Sequence, residues 1–246
     1  MPERFALILG SGFTDFLPEG EVHELSTDYG APSAAVLDCK IGAQSVLTLA
    51  RHGPDHSIPA HVVNYRANIA ALKALGATSI IALNTVGVIG DFCKAGQLGL
   101  PKQILDYTWG REHTFFTGGA AGVKHLDFTE PFPARLRARL LAAASRANID
   151  CHDGGVYATT QGPRLETAAE VDRLQRDGAG YIGMTAMPEA VLAAELDIEY
   201  ACIALVVNQA AGRGDKPIHD AVAASTETAR AAAMALVAEF FGSTDA

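Results

Sequence analysis

The chain has 246 residues, 49% of them apolar and 19% charged, enough to bury a large core as one domain (1–246) and too apolar for a disordered chain. Its net charge of −9 excludes a general nucleic-acid binder, so an anionic ligand would need a local cationic pocket. No stretch reaches the roughly 18 apolar residues of a membrane span, and Phe5-Ala6-Leu7-Ile8-Leu9 is too short for a signal peptide, so a cytoplasmic protein is expected.

In chain order, apolar runs bounded by turn residues predict strands at 5–9 and 45–50, a helix at 62–75, and strands at 79–83 and 97–104. A helix at 134–147, a strand at 156–160 and a helix at 166–177 follow. A short strand before Gly183, a helix at 188–196, a strand at 200–207 and an Ala-rich helix at 219–241 complete the chain. Several strands are apolar almost throughout, as strands covered on both faces are. The alternation predicts an α/β fold with a mainly parallel or mixed sheet. The Gly-rich stretch 117–122 reads as a flexible loop within the domain. Cys39, Cys93, Cys151 and Cys202 have neither metal-ligand nor thioredoxin-like spacing and read as reduced thiols.

Ligands of open α/β sheets bind beyond the carboxyl ends of the strands. That places the chemistry in loops 10–13, 51–56, 84–90, 161–167 and 208–214. Gly10-Ser11-Gly12 is an ordinary turn or, with its hydroxyl and free amides, a phosphate cradle. It is not a dinucleotide fingerprint, since Asp15 stands where G-x-G-x-x-G needs its last glycine, and no Gly-Lys-Ser/Thr follows. Arg51-His52 supplies two potential cations, either a surface pair or an anion site in which Arg51 forks onto two oxygens. Glu166 reads as helix-start chemistry or as a ligand, and Asn208 as a turn former or as an amide that donates and accepts. Together they suit a flat heterocycle carrying N–H and C=O groups. Thr185 offers one more hydroxyl to an anion, and Met184 an adaptable apolar contact. His52 and His56 are four apart, but the Gly-Pro between them denies the helix that such metal-ligand spacing needs, so no metal is expected.

These segments fall in a recognisable order. Gly10-Ser11-Gly12, Tyr29-Gly30-Ala31-Pro32-Ser33, Ala50-Arg51-His52-Gly53 and Val63-Asn64-Tyr65-Arg66-Ala67-Asn68 resemble the trimeric purine nucleoside phosphorylase and methylthioadenosine phosphorylase family. Gln161-Gly162-Pro163-Arg164 and Met184-Thr185-Ala186-Met187-Pro188-Glu189-Ala190 continue the likeness, which covers nearly the whole chain. The resemblance implies a three-layer α/β/α fold around a mixed, distorted sheet. It also implies attack by inorganic phosphate, a co-substrate, on the anomeric carbon of a purine nucleoside, with no metal and no organic cofactor. By motif, Ser11, Arg51, His52, Asn84, Thr85 and Thr185 would hold phosphate, although the types at 84 and 85 differ from those of the methylthioadenosine enzymes. Met184 would lie along the ribose.

Adenine-specific members carry two aspartates after the strand that here ends at Val207, and a small residue where Glu166 stands. This chain has Asn208-Gln209-Ala210 and Glu166, the pattern of the 6-oxopurine enzymes. A carboxylate accepts the N1–H of hypoxanthine or guanine, whereas the N1 of adenine is itself an acceptor; Asn208 would donate to N7 or O6 of the leaving base. On the sugar side, Asp106-Tyr107-Thr108, Gly110-Arg111-Glu112-His113-Thr114, His125-Leu126-Asp127-Phe128 and Asn84-Thr85-Val86-Gly87 resemble the methylthio branch, in particular the bacterial S-methyl-5′-thioinosine phosphorylases. A general inosine/guanosine phosphorylase is the next expectation, then a methylthioadenosine phosphorylase. A non-catalytic purine binder would need no phosphate-holding residues. His125 matches a residue that reaches a neighbouring subunit's site, so a homotrimer is expected. Val222 or Val237 would line a 5′-methylthio pocket; His219 lies in the region of the histidine that ordinary enzymes turn to the ribose 5′-hydroxyl.

Overall fold

Alternate residues of β1 (Phe5–Leu9) pack on opposite faces of a sheet, which is why the strand is apolar throughout. Ala6 and Ile8 meet α1 (Tyr65–Ala74) and α4 (Ala186–Glu195); Phe5, Leu7 and Leu9 meet α2 (Ala134–Arg146) and α5 (Ile218–Gly242). The computed structural model describes residues 3–13, 19–214 and 218–242, with side chains in α5 from Val222 onward. Asp15 and the side chain of His219 lie outside the described residues.

The described sheet has 11 strands between the two helical layers, the α/β/α arrangement expected. β4 (Gln44–Ala50) and β5 (Ser79–Val88) flank β1 in parallel. β2 (Gly20–His23) and β3 (Val36–Ile41) extend the sheet antiparallel beyond β4. On its other side β5 pairs in parallel with β11 (Glu199–Gln209) along its whole length. β6 (Leu98–Leu100) runs antiparallel to β11 and carries β8 (Cys151–Asp153). β10 (Tyr181–Gly183) pairs antiparallel with Gly87 and Val88, and β9 (Val156–Thr159) and β7 (Gln103–Asp106) follow it. β1 stops at Leu9 opposite Leu83, and β10 reaches β5 only at Gly87. Asn84, Thr85 and Val86 therefore have β11 on one side and a gap on the other, with the carboxyl ends of β1 and β10 converging on it.

Several expected boundaries move, each for a local reason. Residues 84–88 are strand rather than loop, because β11 pairs with them to the end; Asn208 and Gln209 likewise belong to β11, whose register breaks between Val206 and Asn208. The strand expected at 97–104 is two, separated at Pro101, which has no N–H to give the ladder. Helix α1 starts only at Tyr65, where the Asn64 side chain accepts from Ala67 N. α3 (Ala168–Arg176) starts after Thr167, which with Glu170 forms a capping box, leaving Glu166 outside the helix. The backbone of α4 is non-helical at Met187, so regular helix begins at Pro188, as expected. The Gly-rich stretch is exposed and holds one short 3-10 turn, Gly119–Ala121.

Candidate active site

A cavity of about 460 Å³ opens over the gap in the sheet. Ser11 comes to it from the end of β1, Arg51, His52 and His56 from the loop after β4, and Thr85, Val86 and Gly87 from β5. Pro163, Leu165 and Glu166 form one side, and Gly183, Met184 and Thr185 follow β10 into it. Val207, Asn208 and Ala210 close the β11 side, with Val222 of α5 beyond them. Gly10 has to be glycine here: a Cβ would run into the Leu83 carbonyl and Arg51 Nη1.

Arg51 is buried, and its partners decide what it presents. Nε and Nη2 donate to the two oxygens of Glu189, each at 2.7 Å, and Nη2 also donates to Asn84 Oδ1 at 2.9 Å. Burial works against the charge, but the Glu189 carboxylate outweighs it and holds the guanidinium protonated far above its ordinary range. The fork expected for a phosphate is thus spent inside the protein, and Nη1, 3.4 Å from the Leu83 carbonyl, is the nitrogen left to the cavity side. Asn84 does not line the cavity. Its Nδ2 donates to Thr185 Oγ1 at 3.1 Å, so it ties Thr185 to Arg51 from behind. The Thr185 hydroxyl, accepting there, keeps its own proton to donate.

His52 is not a second cation. Burial, followed by the charge of Arg51, pushes it down to about 4. Its Nδ1 lies 2.8 Å from the Ile58 carbonyl, which fixes the proton on Nδ1 and leaves Nε2 a lone pair. The ring lies 4.9 Å from that of His56, inclined to it by 43°, and His56 Nε2 is 2.7 Å from Ser11 Oγ. Among the described residues no group of three His, Cys, Asp or Glu side chains is placed to hold a metal ion.

At the other end, Thr160 Oγ1 donates to Glu166 Oε1 at 2.6 Å, and the second carboxylate oxygen has no hydrogen-bond partner among the described residues. Asn208 turns its amide back, Nδ2 donating to the Gln209 carbonyl at 2.6 Å, so it must swing to meet a ligand. Gln209 itself is not in the cavity wall. Val222 lines the cavity whereas Val237 is fully buried in the core beneath α5, so of the two only Val222 is available to a ligand. His125 is exposed in the irregular segment before α2, away from its own chain's cavity.

Four contributors were not singled out from the sequence. The spacing of His56 from His52 is visible in the sequence but speaks there only to the question of a metal. Glu189 lies in a mostly apolar helix, 138 residues from its partner. Thr160 ends the strand run that leads to Glu166. Arg111, buried without a carboxylate partner among the described residues, donates to the carbonyls of Gln161, Met184 and Met187 at 2.9, 2.8 and 2.7 Å. It thereby joins the two segments that carry Glu166 and Thr185. Two further motifs prove structural: Asn64 Nδ2 donates to the Tyr29 carbonyl, and Asn68 exchanges hydrogen bonds with Ser33.

Comparison with known proteins bears on this geometry. Residues 2–242 match the sequence model of the phosphorylase superfamily. Over 212 residues the chain is 49% identical to a probable S-methyl-5′-thioinosine phosphorylase of Xanthomonas campestris pv. campestris, covering 85% of each chain. It is 42% identical over 221 residues to the 6-oxopurine nucleoside phosphorylase of Pyrococcus furiosus, covering 87% of this chain and 83% of that one. The methylthioadenosine phosphorylase from Schistosoma mansoni in complex with tubercidin superimposes with a TM-score of 0.89 at 31% identity, covering 97% of this chain and 90% of that one.

Proposed function

Because the chain belongs to the phosphorylase superfamily, we propose that it catalyses the reversible phosphorolysis of S-methyl-5′-thioinosine. A phosphate oxygen bonds to C1′ as the bond to the purine nitrogen breaks. The bonding pair leaves with the base, which takes up a proton to become hypoxanthine, and 5-methylthioribose 1-phosphate remains. The bound anion stabilises an oxocarbenium-like ribose, so positioning and electrostatics do most of the catalysis, without metal or organic cofactor.

Ser11, Thr85, Thr185 and Nη1 of Arg51 hold the phosphate, with His52 beside them and Asn84 acting from behind. Met184 lies along the ribose and Val222 faces the 5′-methylthio group. Glu166 accepts the N1–H of the base, while Asn208 donates to N7 or O6 as negative charge develops, with Gln209 and Ala210 shaping its strand end. His125 serves a neighbouring chain's site in a homotrimer, each chain folding as one domain in the cytoplasm. Among the described residues no helix is long and apolar enough to cross a membrane.

The observation that carries this reading is Glu166, its carboxylate held by Thr160 in the cavity that Asn208 also lines. The relatives named for methylthioinosine favour the methylthio sugar. A second reading, a general 6-oxopurine nucleoside phosphorylase, has the same base chemistry and the Pyrococcus relative in its favour. The test is phosphate-dependent release of base from methylthioinosine, inosine and methylthioadenosine, compared by kcat/KM. Equal rates on inosine and methylthioinosine would establish the second reading, and efficient methylthioadenosine cleavage would defeat both.

A further inference from the structure

The phosphate end of the cavity is short of side-chain donors. Arg51 has given its fork to Glu189, and His52, with its proton on the Ile58 side, turns a lone pair outward. Among side-chain donors, an incoming phosphate is left with Arg51 Nη1 and the hydroxyls of Thr185, Thr85 and Ser11, so the direction of each hydroxyl proton matters. Asn84 already settles that of Thr185 by donating to its oxygen. Among the described residues Ser11 has one side-chain partner, His56 Nε2, at 2.7 Å.

Two proton arrangements fit that distance. If Ser11 donates to His56, its oxygen turns lone pairs toward the cavity and repels an anion. If His56 donates from Nε2, the Ser11 oxygen is satisfied as an acceptor and its proton is free for a phosphate oxygen. His56 is held for this task. Its backbone sits at φ 52°, a left-handed conformation uncommon outside glycine, its N–H donates to the Gly53 carbonyl at 3.1 Å, and its ring lies in tilted contact with that of His52.

We propose that His56 is the positioning residue of the phosphate subsite, donating from Nε2 to Ser11 Oγ so that the Ser11 hydroxyl donates to phosphate. The inference rests on the reading that this end of the cavity takes phosphate. It assigns to His56 for Ser11 the part that Asn84 plays for Thr185.

Calorimetric titration of inorganic phosphate into the wild type, S11A, H56A, H56Q and the S11A/H56A double variant tests this, with KM for phosphate and for nucleoside measured alongside. H56A should weaken phosphate binding about tenfold, the worth of one hydrogen bond to a charged group, and leave KM for the nucleoside unchanged. H56Q should recover most of the loss, because the amide nitrogen of Gln falls near the imidazole Nε2. Since His56 acts through Ser11, the double variant should bind no worse than S11A alone. Unchanged binding in H56A, or losses that multiply in the double variant, would overturn the assignment. If the wild type binds phosphate but cleaves no nucleoside, the proposed reaction fails while the same binding series still decides the role of His56. If it binds no phosphate, both fall.

Discussion

The Arg51 guanidinium meets the Glu189 carboxylate through two hydrogen bonds of 2.7 Å, and both side chains are closed off from solvent. Tyr200 donates to the same carboxylate at 2.8 Å, so the charge of Glu189 is fully engaged. The pair keeps a guanidinium beneath the cavity floor without leaving an uncompensated charge in the core.

Breaking that pair from one side should be severe. E189Q keeps the shape and the Tyr200 contact but strands the Arg51 charge, and should lower stability by about 3–5 kcal/mol. Replacing both partners, as in R51M/E189M, should destabilise less than E189Q although it removes more polar atoms. Urea unfolding of the three proteins checks this. A double variant less stable than E189Q would mean that the pair itself, rather than the stranded charge, dominates.

His52 should set part of the acid limit of stability. Its folded value of about 4 lies below the ordinary 6.5, so the native state resists a proton that the unfolded chain accepts. The stability it contributes is complete above about pH 6.5 and is lost as the pH falls toward 4, on the order of 3 kcal/mol over that window. H52N retains a donor to the Ile58 carbonyl and cannot titrate. Denaturant midpoints between pH 4 and 7, in phosphate-free buffer, should fall less steeply for H52N than for the wild type.

The core elements were legible in the sequence because their signals are local. The unbroken apolar run of Phe5–Leu9 announces a strand covered on both faces, and Pro188 opens the regular part of α4. The site residues at strand ends were legible by position, since Ser11, Arg51, Glu166, Thr185 and Asn208 all line one cavity. What was hidden depends on distant partners. That β5 continues through Asn84 and Thr85 is decided by β11, far along the chain, and the fork of Arg51 is claimed by a carboxylate 138 residues away. The mostly exposed β2 has no apolar alternation to betray it and exists because β3 offers it an edge. The free hydroxyl proton of Thr185 follows from such a long-range contact, with Asn84, whereas the His52 tautomer is set locally by the Ile58 carbonyl.

Glu166 should govern which base is accepted. E166A removes the acceptor for the N1–H of a 6-oxopurine and should reduce kcat/KM for methylthioinosine by about 10–100-fold, with methylthioadenosine unaffected or improved. The ratio of the two values is the measurement. An unchanged ratio would remove Glu166 from base recognition.

Asn208 should matter most in the transition state. Its amide is turned onto the Gln209 carbonyl in the free protein, and the proposed role calls on it only as charge collects on the departing purine. N208A should therefore lower kcat by about 10²–10³ while leaving KM for the nucleoside nearly constant. Steady-state kinetics with saturating phosphate separate the two constants. A rise in KM at constant kcat would instead make Asn208 a ground-state contact.

Arg111 should couple the two walls of the cavity. Its planar fork spans the carbonyls of Gln161, Met184 and Met187 at once, which a lysine, a single point of charge, cannot do. In R111K the Gln161 side, which leads to Glu166, should loosen. Thr185 keeps its separate tie to Asn84 and Arg51. KM for the nucleoside should thus rise several-fold more than KM for phosphate, with a lowered Tm. Equal rises in both constants would show that Arg111 supports the cavity as a whole, and a lowered Tm with neither constant changed would confine it to folding.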